Sequence, residues 1–304
     1  MTSASQARDR SRWPTAPERV HSVCPHDCPS CCPLEVERLD GNRIGTVRGA
    51  TDNSYNAGVI CAKVARYGER VHHPDRLTKP LRRVGKKGDA SGFKPLSWDD
   101  ALEEVAEALA NAAQRDGPEA VFPYYYSGTM GLVQRDGLQR LRHTMRYSRQ
   151  RNTICASLGN AGWKAGVGIN LGPDPREVSE SDLIIIWGAN PVYTQVQFMT
   201  HISRARKARG AKLVVVDPYR NATAAQADLH LMVKPGTDGA LACAVMHVLF
   251  AEGFADREYL AKYSDCPDEL ETHLKNRTPA WAAAITGLTV DEIVEFARLY
   301  GRTK

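Results

Sequence analysis

Residues 21–44, HSVCPHDCPSCCPLEVERLDGNRI, place four cysteines within nine positions. The useful spacing is Cys24-x3-Cys28-x3-Cys32, and Cys61 follows in GVICAKVARY. Three closely spaced thiolates on a tight loop, with a fourth from a neighbouring turn, can grip a cubane iron–sulfur cluster. Pro25 and Pro29 stiffen that loop and lower the entropy lost when it wraps a ligand. Two other readings stand beside this one. Structural zinc also takes four cysteines, though usually from two C-x2-C pairs, and here Cys28 and Cys31 make one such pair while Cys61 has no partner near it. The thiols could also be unliganded. If Cys32 is the third ligand, Cys31 is the odd thiol out.

Five further stretches have residue types suited to a ligand. Cys155 stands before a glycine-bearing turn, SLGNAGWKAG, which favours a loop opening onto a ligand; by periodicity alone it is a buried strand-end cysteine. IIIWGANP (184–191) and VVVDPYR (214–220) are apolar runs that end in turns, and nucleotides bind at strand C-termini in open α/β sheets. No G-x-G-x-x-G occurs, which excludes the ordinary nicotinamide fingerprint. KPGTDGAL (234–241) opens a helix, where free N–H groups favour an anionic or polar ligand; its plainer reading is a capped helix and nothing more. YSGTMGLVQ (126–134) is a glycine-bearing turn after an apolar run. His72, His73, His143, His201 and His247 are scattered singly and read as surface or satisfied core groups.

The elements that must position these residues can be read from periodicity. LEVERLDGNRIGTVRG alternates apolar and polar residues around Asp40-Gly41, a hairpin signal. Residues 72–85 form a connector whose two prolines argue against helix, and VGKKGD (84–89) reads as a hairpin turn. At residue 97 the pattern changes: Ser97 can N-cap a helix whose Leu102, Val105, Ala106 and Leu109 share a face. Strands are expected at 120–127, 182–188 and 211–218, with a helix over 196–210. Helices at 238–253, 256–263 and 290–301 complete the chain. The expected fold is α/β: a small N-terminal domain rich in short antiparallel strands, then a doubly wound, mostly parallel α/β domain. Boundaries fall at a tail (1–20), a cysteine-bearing domain (21–80) and an α/β domain (81–304).

Composition narrows the class. Of 304 residues, 42% are hydrophobic and 25% charged, the balance of a soluble globular protein. The net charge of +5 is mild, and no Lys/Arg run points to nucleic acid. No stretch reaches 18 apolar residues, so no membrane span is expected. The polar, Arg-rich N-terminus reads as a disordered lead-in to a cytoplasmic protein, and in that reducing compartment eight cysteines serve as ligands, catalytic groups or core residues rather than disulfides.

CPHDCPSCC, GVICAKVARY, HHPDRLTKPLRRVG and PLSWDDAL together resemble the N-terminal region of the molybdopterin oxidoreductases. The resemblance continues through TICASLGNAGW, DLIIIWGANP and VVVDPYRNATAAQADLHLMVKPGTDGAL, and so covers nearly everything after residue 20. It implies a [4Fe-4S] cluster on Cys24, Cys28, Cys32 and Cys61, with Lys63 between cluster and pterin. It implies Mo or W held by molybdopterin guanine dinucleotides, with Cys155 as the protein ligand to the metal. The dinucleotide contacts carried over are Gly188, Asn190 and Pro191, then Asp217, placed to accept from the guanine N1 and N2 hydrogens, and Arg220. Gly236, Thr237 and Asp238 complete them. In the family an arginine usually follows Asp-Pro directly, whereas here Tyr219 intervenes.

Ala156 stands where formate dehydrogenases of the family typically carry His, and the CAS sequence is nearer the nitrate-reductase-like branch. The implied function is two-electron redox chemistry on a small-molecule substrate, with electrons relayed through the cluster to a partner protein. A non-catalytic iron–sulfur electron carrier of the same fold and a zinc-stapled scaffold are the rival functions. Family catalytic subunits are roughly twice this length or more, so the chain is expected to bind one dinucleotide at best and not to turn over by itself.

Overall fold

The computed structural model describes residues 17–26, 28–89, 91–125, 132–151 and 156–303, the side chains of 132–136 excepted. Two compact units divide between Gly172 and Pro173.

The first unit begins with three antiparallel strands in the order β1-β2-β3: β1 (Glu18–Val23), β2 (Pro33–Asp40) and β3 (Arg43–Gly49). The expected hairpin lies between β2 and β3, where Asn42 N–H donates to the Asp40 carboxylate and shapes the turn. Alternation puts Leu34 of β2 and Val47 of β3 on the buried face, together with Cys24, Cys32 and Val64. That core is thin. A domain with so few buried apolar groups needs a further crosslink to hold its loops.

The chain then returns to the sheet through a close backbone approach. A Cβ on Gly49 would sit 2.6 Å from the Gly58 carbonyl, and Asn56, nearly fully buried, donates from Nδ2 to the Pro33 carbonyl at 3.0 Å. Two short helices follow, α1 (Ala62–Ala65) and α2 (Tyr67–Val71). The connector leads to a second hairpin, β4 (Leu81–Arg83) with β5 (Phe93–Pro95), closed by the expected turn.

α3 (Trp98–Asp116) starts where expected, with Ser97 Oγ accepting from Asp100 N–H. The face shared by Leu102, Val105, Ala106 and Leu109 enters no core among the described residues. α3 buries no residue, and Leu102 and Val105 stay exposed. The strand expected over 120–127 is also absent among the described residues. Pro118–Ala120 form a 3-10 turn and 121–125 run without regular structure, tied to 148–150 by Ser148 N–H to the Val121 carbonyl (3.0 Å) and Tyr125 N–H to Gln150 Oε1 (3.2 Å). Pro123 removes a ladder donor in mid-run, the physical reason a strand fails there. α4 (Leu132–Met145) and α5 (Ala156–Val167) complete this unit.

The second unit carries three parallel strands in the order β6-β7-β8: β6 (Leu183–Trp187), β7 (Lys212–Val216) and β8 (Leu229–Leu231). Successive β7 residues point to opposite faces and enter two separate cores. Val214 and Val216 join Leu231, Leu241, Ile293 and Phe296 on one side. Leu213 and Val215 join Ile184, Ile186, Ile202 and Ala205 on the other. Both faces of the sheet are therefore covered, as near-continuous apolar strands require.

The helices of this unit are α6 (Pro191–Thr194), α7 (Val196–Arg209), α8 (Asp238–Ala251), α9 (Arg257–Tyr263), α10 (Pro267–Leu274), α11 (Pro279–Thr286) and α12 (Val290–Arg302). α7 ends at Gly210 in the left-handed region (φ +71°), with Arg206, Lys207 and Arg209 in its last turn beside the negative end of the helix dipole. Among the described residues, no helix is long and apolar enough to cross a membrane.

Candidate metal and dinucleotide sites

The thiols gather where the antiparallel sheet meets α1. Cys24 and Cys32 lie at facing strand ends, closed by Cys24 N–H to the Cys32 carbonyl at 2.8 Å, and both are buried. Cys61 is the residue before α1 and packs against the same small core. Burial pushes the Cys24 thiol up, and charges on Cys28, Cys61 and Cys31 would push it further, against a backbone hydrogen bond at His26. Several thiolates crowded in one place repel one another unless a cation neutralises them, and a bound metal deprotonates coordinating thiols outright.

Cys31 differs from its neighbour. It is exposed, takes a left-handed backbone (φ +39°), and its thiol reaches the Cys28 carbonyl at 3.7 Å. Its charge still reaches Cys24, so proximity does not separate Cys31 from Cys32, whereas burial does. The seven described cysteines are all free. Among the described residues, no group of three or more His, Cys, Asp or Glu side chains could hold a single metal ion. Tetrahedral zinc needs four donors within about 2.3 Å of one centre. A soft set of four thiolates suits an iron–sulfur cluster, so the residues present fit that group.

Lys63 is on α1, exposed rather than buried, and lines an open groove of about 550 Å3 with Arg66, Tyr67, Glu69, Arg70 and His73. Cys155 and the turn at 126–131 lie outside the described residues.

In the second unit, the sequence-selected residues meet at the C-terminal edge of the parallel sheet. Gly188 (φ +62°) turns the chain after β6 and donates its N–H to the Val216 carbonyl at 2.9 Å. Asn190 precedes buried Pro191, the first residue of α6, where a missing N–H costs nothing. After β7, both Asp217 oxygens accept bonds within their own turn, from Tyr219 N–H (3.1 Å) and from Asn221 Nδ2 (2.8 Å). Asp217 is buried while Arg220 beside it is exposed. After β8, Gly236 (φ +79°) leads into α8. Thr237 does not cap that helix with its side chain; its hydroxyl donates to the Lys234 carbonyl at 2.6 Å.

The structure adds residues that periodicity did not single out. Thr223 Oγ donates to Asn190 Oδ1 at 2.7 Å and joins the first two turns. Asn221 Oδ1 accepts from Thr223 and Ala224 N–H, each at 2.9 Å. His230 Nε2 meets the Asp217 carbonyl at 3.1 Å, and Trp187 Nε1 donates to Asp238 Oδ1 at 2.8 Å. The Thr223–Asn190, His230–Asp217 and Trp187–Asp238 bonds join different turns or strands, whereas the Asn221 bonds stay within one turn; the sequence signal was polarity just past an apolar run. Of the single histidines, His201 pairs with Ser179 and His247 with the Leu274 carbonyl, as satisfied core groups do.

The comparisons agree with this division of labour. The family model described as molybdopterin oxidoreductase Fe4S4 domain matches residues 17–73, and that described as molybdopterin oxidoreductase matches 76–287. The chain is 39% identical over 283 residues to a Bacillus subtilis protein named "Probable oxidoreductase YoaE", covering 93% of this chain and 41% of that one. It is 32% identical to dimethyl sulfoxide reductase DmsA of Haemophilus influenzae, covering 94% and 40%. The chain thus spans about two fifths of the length of the curated relatives it matches. The structure of acetylene hydratase from Pelobacter acetylenicus has the same fold, with a TM-score of 0.66 at 24% identity over 92% of this chain and 38% of that one. A [4Fe-4S] cluster and a molybdopterin-bound Mo or W are the cofactors these matches assign. With both family models falling in order over the thiol-bearing sheet and the turn-edged parallel sheet, the chain belongs to the molybdopterin oxidoreductase family.

Proposed function

We propose that this chain is the cluster-bearing and dinucleotide-binding part of a Mo/W oxidoreductase catalytic subunit. The observation that carries the reading is the gathering of Cys24, Cys32 and Cys61 on one small core, with Cys28 within electrostatic reach. Cys24, Cys28, Cys32 and Cys61 hold the [4Fe-4S] cluster in a domain over 21–80, and the α/β domain over 81–304 binds the dinucleotide. When bound, the metal–pterin centre would supply two-electron chemistry on a small substrate, with the cluster as a one-electron relay toward a partner protein.

The chain's own residues place and insulate these groups. Gly188, Asn190 and Pro191 form the first dinucleotide turn. Asp217 shapes the second and leaves its remaining lone pairs to the guanine, while exposed Arg220 offers a cation. Gly236, Thr237 and Asp238 present the start of α8. Cys155 would supply the protein thiolate to the metal, and Lys63, on the groove wall, would serve the pterin as a hydrogen-bond donor. Ala156 carries no proton-handling ring, so formate is not the preferred substrate. Free cysteines suit a reducing compartment, which supports the cytoplasm.

The test is anaerobic purification from a host that makes the cofactor, followed by metal, sulfide and nucleotide analysis. About four irons and four sulfides per chain are expected, together with Mo or W and guanine nucleotide. A colourless zinc protein would sink the cluster assignment. An iron–sulfur protein without Mo, W or guanine nucleotide would sink the catalytic one.

A further inference from the structure

His26 stands two residues after Cys24, and Tyr67 opens α2, six residues after Cys61. The Tyr67 hydroxyl and His26 Nε2 are joined by a 2.8 Å hydrogen bond across 41 residues of sequence. Their rings pack with centroids 5.3 Å apart at 46°, and the Arg70 guanidinium lies 5.5 Å from the Tyr67 ring centre. The Tyr67 ring is half-buried against the core that contains Cys24, Cys32 and Val64.

α2 is itself fixed from behind. A Cβ on Gly68 would lie 2.8 Å from the Gly45 carbonyl, so the helix rests directly on β3, and Ile44 N–H donates to His72 Nε2 at 3.0 Å. A side chain anchored on so firm a base transmits its position to whatever it bonds. Here that is the segment carrying the first ligand pair.

We propose that Tyr67 is a positioning residue for the iron–sulfur cluster: through His26 it latches the segment after Cys24 to α2 and slows the opening through which iron is lost. This rests on the assignment of the cluster to Cys24, Cys28, Cys32 and Cys61. Opening the segment breaks the hydrogen bond and exposes the ring face. The latch therefore acts on the dissociation rate, and neither partner alone supplies it.

The experiment follows iron transfer from the anaerobically purified full chain to a ferrous chelator, with the electron paramagnetic resonance signal of the reduced cluster recorded alongside. Tyr67→Phe keeps the ring and loses the hydroxyl; it should release iron roughly fivefold faster, the effect of one hydrogen bond. His26→Ala should release iron at least as fast, and adding Tyr67→Phe to it should change nothing more. His26→Gln, which keeps a polar group at similar reach, should restore most of the slow release. Wild-type rates in Tyr67→Phe, additive effects in the double variant, or no rescue by Gln would overturn the latch while leaving the cluster assignment intact. Wild-type protein without iron would overturn both.

Discussion

At the scale of single residues, Cys31 and Cys32 are adjacent in sequence but differ in environment. Cys32 is 3% exposed and faces the core, while Cys31 is turned out by a left-handed backbone. Cys31→Ser should therefore keep a full complement of iron, whereas Cys61→Ser should lose or degrade the cluster, as iron and sulfide analysis of the two variants will read. Iron loss confined to Cys31→Ser would mean the third ligand is the wrong one of the pair. Asp174 offers a second residue-scale case. Its carboxylate accepts from the Arg176 side chain and backbone N–H, which hold its pKa at about 2. A depressed folded-state pKa means the contribution is complete above the unfolded value near 3.8 and fades as pH falls toward 2. Asp174→Asn should flatten the acid limb of the unfolding curve below pH 4 relative to wild type.

At the scale of elements, α12 shows how a helix is both started and buried. Thr289 Oγ accepts from Glu292 N–H while the Glu292 carboxylate accepts from Thr289 N–H, a reciprocal cap. Thr289→Ala should cost about 1 kcal/mol in denaturant unfolding. Successive turns of the same helix place Ile293, Phe296 and Ala297 in the core beneath β7 and β8. Phe296 is fully buried and its ring centre lies 6.4 Å from that of Trp187, whose indole N–H holds Asp238. Phe296→Ala should cost about 3–5 kcal/mol through the cavity it leaves. It should also weaken guanine-nucleotide binding, because the Trp187–Asp238 bond loses its packing support. Stability loss with unchanged nucleotide affinity would separate the core from the site.

At the scale of the whole molecule, both cores of the α/β unit draw only on residues within Pro173–Lys304. That self-sufficiency predicts that residues 173–304, expressed alone, unfold in one cooperative transition with near-ultraviolet dichroism from Trp187 and Trp281. The cysteine-bearing region has a far smaller core and is therefore expected to depend on its metal. Removing iron from the full chain should abolish protease resistance over residues 21–73 and leave the α/β transition in place. A single shared transition, lost with the metal, would contradict this division.

The sequence by itself brought forward a candidate donor set and the strands that end in turns. Spacing alone brought Cys24, Cys28, Cys32 and Cys61 forward, and the β6, β7, α7, α8 and α12 segments could be read from runs and periods, because local propensity and burial agree there. It expected a strand over 120–127, where the apolar run outweighed Pro123, which breaks the ladder, and the shared face it read on α3 did not show that Leu102 and Val105 stay exposed. What only the tertiary structure decided is which polar groups meet. His26 with Tyr67, Asn190 with Thr223 and Trp187 with Asp238 are pairs separated by 41, 33 and 51 residues. A hydrogen bond is set by ångström-scale geometry between elements, and no periodicity within one element encodes it.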